Sequence, residues 1–235
     1  MPPEETGAPP ERVDAGMLVL CRVRAQDAGE LAAAVGASMD HLRPWMPWAN
    51  PDAADPRTQR VRVAEADEMW AQGTDYIYSV FAATEGTAGQ GSGEGSRAEG
   101  SRAERSTGEG DPADTAGWVN RDGALAGAIG LHRRVGDGGI EIGYWIAERY
   151  TRRGFATAAA EAITSVALAL SGVKRVEIHC DEANTASAAI PRKLGYRLDR
   201  IVSHEPEAPG ETGRRLIWVR ETADAGNADP GGAAW

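Results

Sequence analysis

The most specific chemistry in this sequence lies where an apolar run ends in a basic loop that opens into a helix. The run Ile140–Ala147 is followed closely by Arg152, Arg153 and Gly154, after which a helical pattern begins. A helix start leaves about four backbone N–H groups without intrahelical partners and carries partial positive charge, so such a loop can hold a diphosphate. The arginines add charge, the glycine permits close approach, and Thr157 adds a hydroxyl donor. Taken alone, the segment fits a strand-to-helix turn with solvated arginines equally well.

Further motifs along the same region decide between these two interpretations. They are, in chain order, Glu141-Ile142-Gly143-Tyr144-Trp145, Thr151-Arg152-Arg153-Gly154-Phe155-Ala156, Asn184-Thr185-Ala186-Ser187 and Lys193-Leu194-Gly195-Tyr196. In this order and spacing they resemble the hallmarks of the GNAT superfamily of acetyl-CoA-dependent N-acetyltransferases, most closely those of its RimJ/RimL-type branch. The resemblance extends to Leu42–Ala49 and departs from the family pattern at Thr151, where Arg or Gln is usual. Because main-chain amides are expected to make most diphosphate contacts, this departure should weaken cofactor binding without abolishing it.

The resemblance implies an α+β fold, with a GNAT-like mixed, mostly antiparallel central sheet and helices on both faces in α/β/α layers. In such a sheet the strands splay beside the strand Ile140–Ala147 and admit the pantetheine arm of acetyl-CoA. The cofactor contacts implied are Tyr144, Trp145 and Ile146 for pantetheine, and Arg152, Arg153, Gly154, Phe155, Ala156 and Thr157 for the diphosphate. Acetyl-CoA is the co-substrate, and no metal is predicted.

Acetyl transfer to an amine requires a neutral nucleophile, so a general base has to remove a proton from the ammonium form. The resemblance makes Glu141 the candidate base, because the matching strand position carries the base in some GNAT enzymes. The alternative for Glu141 is a structural carboxylate that pairs with an arginine of a neighbouring strand. Glu65 or Glu68 near the second helix, or the isolated His132, are the other candidates for the base.

A second catalytic candidate comes from the Asn-x-x-Ser motif. Ser187 matches the serine of this family motif and is the candidate donor to the leaving thiolate. Pro191 stands where other branches carry a tyrosine acid, which excludes tyrosine catalysis from that position. Asn184 is expected to contact the cofactor arm, to cap its helix, or to do both. Lys193 is interpreted as a solvated charge at a helix C-terminus.

Two tryptophans point to the acceptor side of the site. Trp45 and Trp48 lie in a loop stiffened by Pro44 and Pro47, and by resemblance this loop flanks the acceptor site. The aromatic faces either line a groove for an amine or peptide end, or form a hydrophobic plug between the helices and the sheet.

The chain is predicted to form one domain with three low-complexity segments. Residues 84–116 contain no Val, Ile, Leu, Met or aromatic residue and carry a tandem GSRAE repeat. Such a composition cannot bury enough apolar area to offset its ordering entropy, which predicts a disordered insertion at a hairpin tip. A linker between two domains is the alternative. Residues 1–15 and 223–235 are predicted to be disordered tails, so that 16–222 form a single domain.

Composition narrows the class of protein further. The formal net charge of −10 argues against nonspecific nucleic-acid binding and fits a basic acceptor. No apolar run approaches the roughly 18 residues that span a bilayer, and residues 1–15 lack the layout of a secretory signal. Cys21 and Cys180 fall on apolar strand-like segments and are predicted to be buried thiols. A cytoplasmic monomer or homodimer without a membrane or nucleic-acid partner is expected.

The resemblance therefore predicts an N-acetyltransferase that transfers the acetyl group of acetyl-CoA to a primary amine. The acceptor is either a protein N-terminal α-amino group or a small-molecule amine. The alternative is a noncatalytic GNAT-like module that binds acetyl-CoA or a protein partner as a sensor.

Overall fold

One eight-stranded sheet organises the part of the chain that the structure describes. The computed structural model describes residues 7–83 and 123–222. The strands are β1 (Arg12–Asp14), β2 (Leu18–Arg22), β3 (Asp75–Ala82), β4 (Leu125–His132), β5 (Gly139–Ile146), β6 (Arg175–Asp181), β7 (Arg197–Ser203) and β8 (Arg214–Glu221). Their order across the sheet is β1-β2-β3-β4-β5-β6-β8-β7. Only the β5–β6 pair is parallel among the described pairs, so the sheet is mixed and mostly antiparallel.

Helices cover both faces of this sheet. They are α1 (Ala28–Gly36), α2 (Met39–Leu42), α3 (Pro56–Gln72), α4 (Phe155–Ala169) and α5 (Thr185–Lys193). On one face α4 packs on the central strands, while α1 and α3 pack on the other. The α+β fold and the layered arrangement predicted from the sequence are therefore confirmed.

The sequence explains why α4 lies so close to the sheet. Its inward positions Ala159, Ala160 and Ala167 are small and fully buried, and Ile163 fills the space between them. Small residues at helical spacing allow the helix axis to approach the strands, and the isoleucine supplies apolar burial. The close packing fixes the position of the N-terminus of α4 relative to β5.

The pairing of β5 with β6 stops before either strand ends. The parallel register runs from Gly139 opposite Arg175 to Ile142 opposite Ile178. Beyond this point β5 continues to Ile146 beside β4, and β6 continues beside β8. A gap therefore opens between β5 and β6 after Ile142, at the place where the resemblance implied a splay.

One prediction about the N-terminus was wrong. Residues 1–15 were expected to form a disordered tail, but Arg12–Asp14 forms β1 and pairs antiparallel with β2. The Glu11 carboxylate accepts a hydrogen bond from Arg22 at 2.7 Å, and the Tyr78 hydroxyl donates to a proline carbonyl of the same segment at 2.8 Å. These partners are distant in sequence, so local composition did not reveal them.

The other low-complexity segments lie outside the described residues. This applies to the predicted insertion at 84–116 and to the predicted tail at 223–235. Their neighbours β3 and β4 pair antiparallel with each other, so the chain between them joins two adjacent strands. Within the described segments, no helix combines the length and apolar character needed to cross a membrane.

The prediction for the two cysteines is confirmed. Cys21 lies on β2 and Cys180 on β6, both side chains are buried, and they are not joined in a disulfide.

We expect the backbone contact between β4 and β5 to tolerate no side chain at Gly127. A Cβ at this position would lie 2.2 Å from the carbonyl oxygen of Trp145, and the φ angle of Gly127 is +156°. Gly127→Ala should therefore lower the free energy of unfolding by about 3 kcal/mol. The matched control is Gly29→Ala in α1, where nothing lies within 4 Å and where we expect a change between zero and a gain of about 1 kcal/mol. Urea denaturation measures both, and equal stabilities of the two variants would contradict this packing.

Candidate functional site

The loop before α4 turns sharply through two left-handed residues. Arg152 has φ of 60° and Gly154 has φ of 82°. Gly154 is the N-cap of α4, and no side chain caps the helix start. The first-turn amides from Phe155 to Thr157 are therefore presented at a helix start with the positive end of its dipole. The sequence prediction of an anion-binding loop fits this geometry.

Aromatic and basic side chains pack beside this loop. Tyr150 stacks on Phe155 with ring centroids 5.3 Å apart. The guanidinium groups of Arg149 and Arg153 lie 4.8 and 5.6 Å from the centre of the Tyr150 ring. The departure from the family pattern, Thr151, donates its hydroxyl to the Glu148 carbonyl at 2.8 Å. Its side chain thus stabilises the turn that precedes the loop.

The gap between β5 and β6 leads from this loop toward the middle of the sheet. Tyr144, Trp145 and Ile146 pair with β4 on one side, and they lie beyond the last β6 pair on the other. A ligand with amide groups can hydrogen-bond to the unpaired strand edge. The unpaired edge of β5 and the loop before α4 therefore follow one another in the chain.

Ser187 and Tyr144 face each other across this gap. The Tyr144 hydroxyl lies 3.0 Å from Oγ of Ser187, and the Ser187 amide donates to Oδ1 of Asn184 at 3.1 Å. Asn184 thus caps α5 with its oxygen, as one of its two predicted roles requires. Its Nδ2 group can still donate to a ligand.

Cys180 is a neighbour of Ser187 that sequence reasoning missed. Burial raises the pKa of its thiol to about 11, against the opposing effect of the neighbouring Trp218 and Ser187 side chains. Burial also raises the pKa of Tyr144 above its ordinary value, against the effect of its bond to Ser187. The sequence signal for this cluster was the alternation along β5 and β6, which places Tyr144 and Cys180 on the same face as the core residues of their strands.

Glu141 lies on the face of β5 opposite to Tyr144, and its carboxylate is paired with an arginine. Arg134 donates to both carboxylate oxygens, each bond being 2.8 Å. Nδ1 of His179 lies 3.7 Å from the same carboxylate. Burial raises the pKa of Glu141, but the Arg134 hydrogen bonds and the nearby His179 outweigh it and leave the pKa below its ordinary value. The sequence alternative, a carboxylate paired with a neighbouring arginine, describes this contact.

Two histidine–carboxylate pairs flank Glu141. Nδ1 of His132 on β4 is hydrogen-bonded to Asp75 on β3. Nε2 of His179 lies 2.7 Å from the carboxylate of Glu177, a residue that is 1% exposed. Sequence reasoning included His132 and missed the His179 pair, although two polar residues spaced by two on a buried strand were a visible signal.

The other two candidates for the base lie away from this cluster. Glu65 and Glu68 are exposed on α3, and the buried residues of this helix are Gln59, Val63, Ala66 and Trp70. The helical period places both carboxylates on the solvent side, so the structure does not bring them to the gap.

The tryptophan loop contacts the end of β5. The rings of Trp48 and Trp145 meet edge to face with centroids 6.0 Å apart, and Trp45 is half-buried. The carbonyl of Pro44 accepts a hydrogen bond of 2.8 Å from the Gly210 amide in the loop between β7 and β8. Trp48 therefore packs as the plug interpretation expects, on the same face of the sheet as Glu141.

We expect the two loop arginines to respond in opposite ways to replacement by glycine. Arg152→Gly removes a left-handed non-glycine residue, whereas Arg153→Gly relieves no strain, adds flexibility to the unfolded chain and removes the contact with the Tyr150 ring. Both remove one positive charge. Arg152→Gly should therefore be more stable than Arg153→Gly by about 1 kcal/mol, measured by urea denaturation. The reverse order would show that Arg152 is not strained.

Comparison with known proteins agrees with this geometry. Residues 97–197 match the family described as acetyltransferase (GNAT) domain. The chain is 36% identical over 77 residues to YdaF of Bacillus subtilis (strain 168), which is named as a candidate ribosomal N-acetyltransferase. This match covers 32% of the chain and 42% of the relative's length, so the chain spans less than half of that curated relative.

Solved structures share the fold at low identity. The ribosomal L7/L12 alpha-N-protein acetyltransferase RimL, in complex with coenzyme A, gives a TM-score of 0.68 at 16% identity over 92% of this chain and 99% of its own. Mycobacterium smegmatis RimJ, in complex with a CoA-disulfide, gives a TM-score of 0.67 at 19% identity over 91% of this chain and 86% of its own. The Microcin C7 self immunity acetyltransferase MccE, in complex with acetyl-CoA and AMP, gives a TM-score of 0.68 at 13% identity over 93% of this chain and 100% of its own. The resemblance to GNAT acetyltransferases seen in the motifs is thereby confirmed.

Proposed function

We propose that this protein is an N-acetyltransferase that transfers the acetyl group of acetyl-CoA to a primary amine. The observation that carries the proposal is the unpaired edge of β5, followed in the chain by the uncapped N-terminus of α4. An anion and an extended amide chain can bind there together. The family match and the similarity to YdaF support the same activity.

Acetyl-CoA fits the donors that the site offers. Its diphosphate would contact the amides of Phe155, Ala156 and Thr157, with Arg152 and Arg153 supplying positive charge. Its pantetheine amides would pair with the β5 edge at Tyr144, Trp145 and Ile146, and Asn184 can donate to the same arm. The thioester would then lie near Gly143, the first residue of β5 beyond the last β6 pair.

The two catalytic candidates lie on opposite faces of β5 beside that position. Ser187 is proposed to donate to the leaving thiolate, and its contact with Tyr144 orients its hydroxyl. Glu141 is proposed to act on the acceptor ammonium. Because its pKa is below the ordinary value of 4.5, the carboxylate is ionised throughout the neutral range and can hold a cation there.

The acceptor is proposed to be a protein α-amino group or a small-molecule amine. The name of YdaF supports a ribosomal protein, whereas MccE, among the structural neighbours, is a self-immunity acetyltransferase. A net charge of −10 favours basic acceptors in either class. Trp45 and Trp48 are proposed to border the acceptor.

Two buried thiols suit a reducing compartment such as the cytoplasm.

Acetyl transfer is tested by an acceptor screen. Purified protein with acetyl-CoA should release free thiol with at least one of several amine classes, namely Ser-, Ala- and Thr-starting peptides, polyamines, aminoglycosides and amino acids, and mass spectrometry should show the acetylated acceptor. Calorimetry measures acetyl-CoA binding in parallel. Binding without turnover across the panel would favour the sensor alternative, and absence of binding would eliminate both functions.

We expect Glu141→Gln to lower kcat/KM for the acceptor by about 10-fold or more, because the neutral amide no longer holds an ammonium ion. The dissociation constant for acetyl-CoA should stay within about threefold, since the diphosphate loop is untouched. Arg134→Gln is the structural control, because it breaks the same ion pair but keeps the carboxylate. An unchanged kcat/KM in Glu141→Gln would remove Glu141 from the mechanism.

A further inference from the structure

The structure places His132 where it can act on the acceptor amine. Its ring leans along β4 over two facing glycines, Gly130 on its own strand and Gly143 on β5. A Cβ on Gly130 would lie 2.8 Å from Nε2 of His132, and a Cβ on Gly143 would lie 3.2 Å from it. The imidazole therefore packs directly over the bare backbone of these two glycines.

A carboxylate fixes the proton on the other ring nitrogen. Asp75 accepts at Nδ1, and an ionised carboxylate can only accept hydrogen bonds. In the neutral imidazole Nδ1 therefore carries the hydrogen, and Nε2 presents a lone pair toward Gly143. Both side chains are about four-fifths buried, which holds the ring in this orientation.

Gly143 marks the point where the acetyl group would meet the acceptor. It is the first β5 residue beyond the last pair with β6, so the gap begins there. Nε2 of His132 lies 3.2 Å from where a Cβ on Gly143 would stand, so the ring packs at the backbone of Gly143. The imidazole and the end of the gap thus border the same space.

Charged side chains surround His132. Asp75 faces it from β3 and Glu141 faces it from the opposing position on β5. Arg134 compensates one of these carboxylates, and His179 lies beyond Glu141 on β6. Arg134 donates to both oxygens of Glu141, so that carboxylate is already engaged, whereas the bond between Asp75 and Nδ1 leaves Nε2 of His132 beside Gly143.

We propose that His132 is the general base of acetyl transfer, a catalytic role that rests on the proposed function, and that Asp75 is its positioning residue. The acceptor ammonium gives a proton to Nε2, and the freed lone pair forms a bond to the thioester carbonyl carbon. The C–S bond breaks and its electron pair leaves with the sulfur of CoA, which takes the second amine proton. The imidazolium then releases its proton to solvent.

The kinetic test compares His132→Gln with His41→Gln, a replacement of the same type on the short helix α2. With an acceptor that the wild type acetylates, His132→Gln should lower kcat about 100-fold or more and keep acetyl-CoA affinity within about threefold. The acidic limb of its kcat/KM profile should disappear, because the base must be unprotonated to act. Asp75→Asn should give an intermediate loss, and His41→Gln should match the wild type.

A tautomer measurement tests the proposal without turnover. The chain has four histidines, so nitrogen-15 spectra of labelled protein can be assigned by single replacements. His132 should show the neutral form protonated at Nδ1 in the wild type, and Asp75→Asn should abolish that preference. A His132 protonated at Nε2, or a folded His132→Gln that keeps wild-type kcat and its acidic limb, would overturn the proposal. A wild type that acetylates no amine would instead refute the proposed function and the catalytic role with it.

Discussion

The site depends on the separation of two parallel strands after Ile142 and Ile178. Strands that diverge leave backbone N–H and C=O groups without ladder partners, and such groups require other partners when they are buried. Here β6 remains paired with β8, and β5 remains paired with β4. The sheet is therefore continuous on each side of the gap. A bound extended chain can complete the β5 edge without any rearrangement of the core.

The gap also divides the functional groups between the two faces of the sheet. Tyr144, Ser187 and Cys180 lie on the face covered by α4 and α5, where burial raises the pKa of the thiol to about 11. Glu141 and His132 lie on the other face, together with the tryptophan loop. A thioester in the gap would therefore have neutral hydroxyl donors on one side and charged groups on the other.

The charged face is stabilised because every buried carboxylate in this cluster has a cationic or imidazole partner. Glu177, with 1% exposure, lies 2.8 Å from Arg175 and 2.7 Å from His179. Glu141 has Arg134, and Asp75 has His132. Removing one member of such a pair leaves an uncompensated charge that costs about 3–5 kcal/mol when it is fully buried. The pairing therefore restrains the orientation of each imidazole and preserves the geometry around Gly143.

Local sequence determined much of this protein. The strand β5, the glycine loop that follows it and the helix α4 each depend on residues close in the chain, and all three were predicted correctly. Only the tertiary structure decided which distant side chains contact each other. Asp75 and His132 are 57 positions apart, Glu11 reaches Arg22 to hold β1, and Trp48 packs on Trp145. These contacts follow from strand register and loop placement across the whole sheet, and a short sequence window contains no information about which distant side chain will face it.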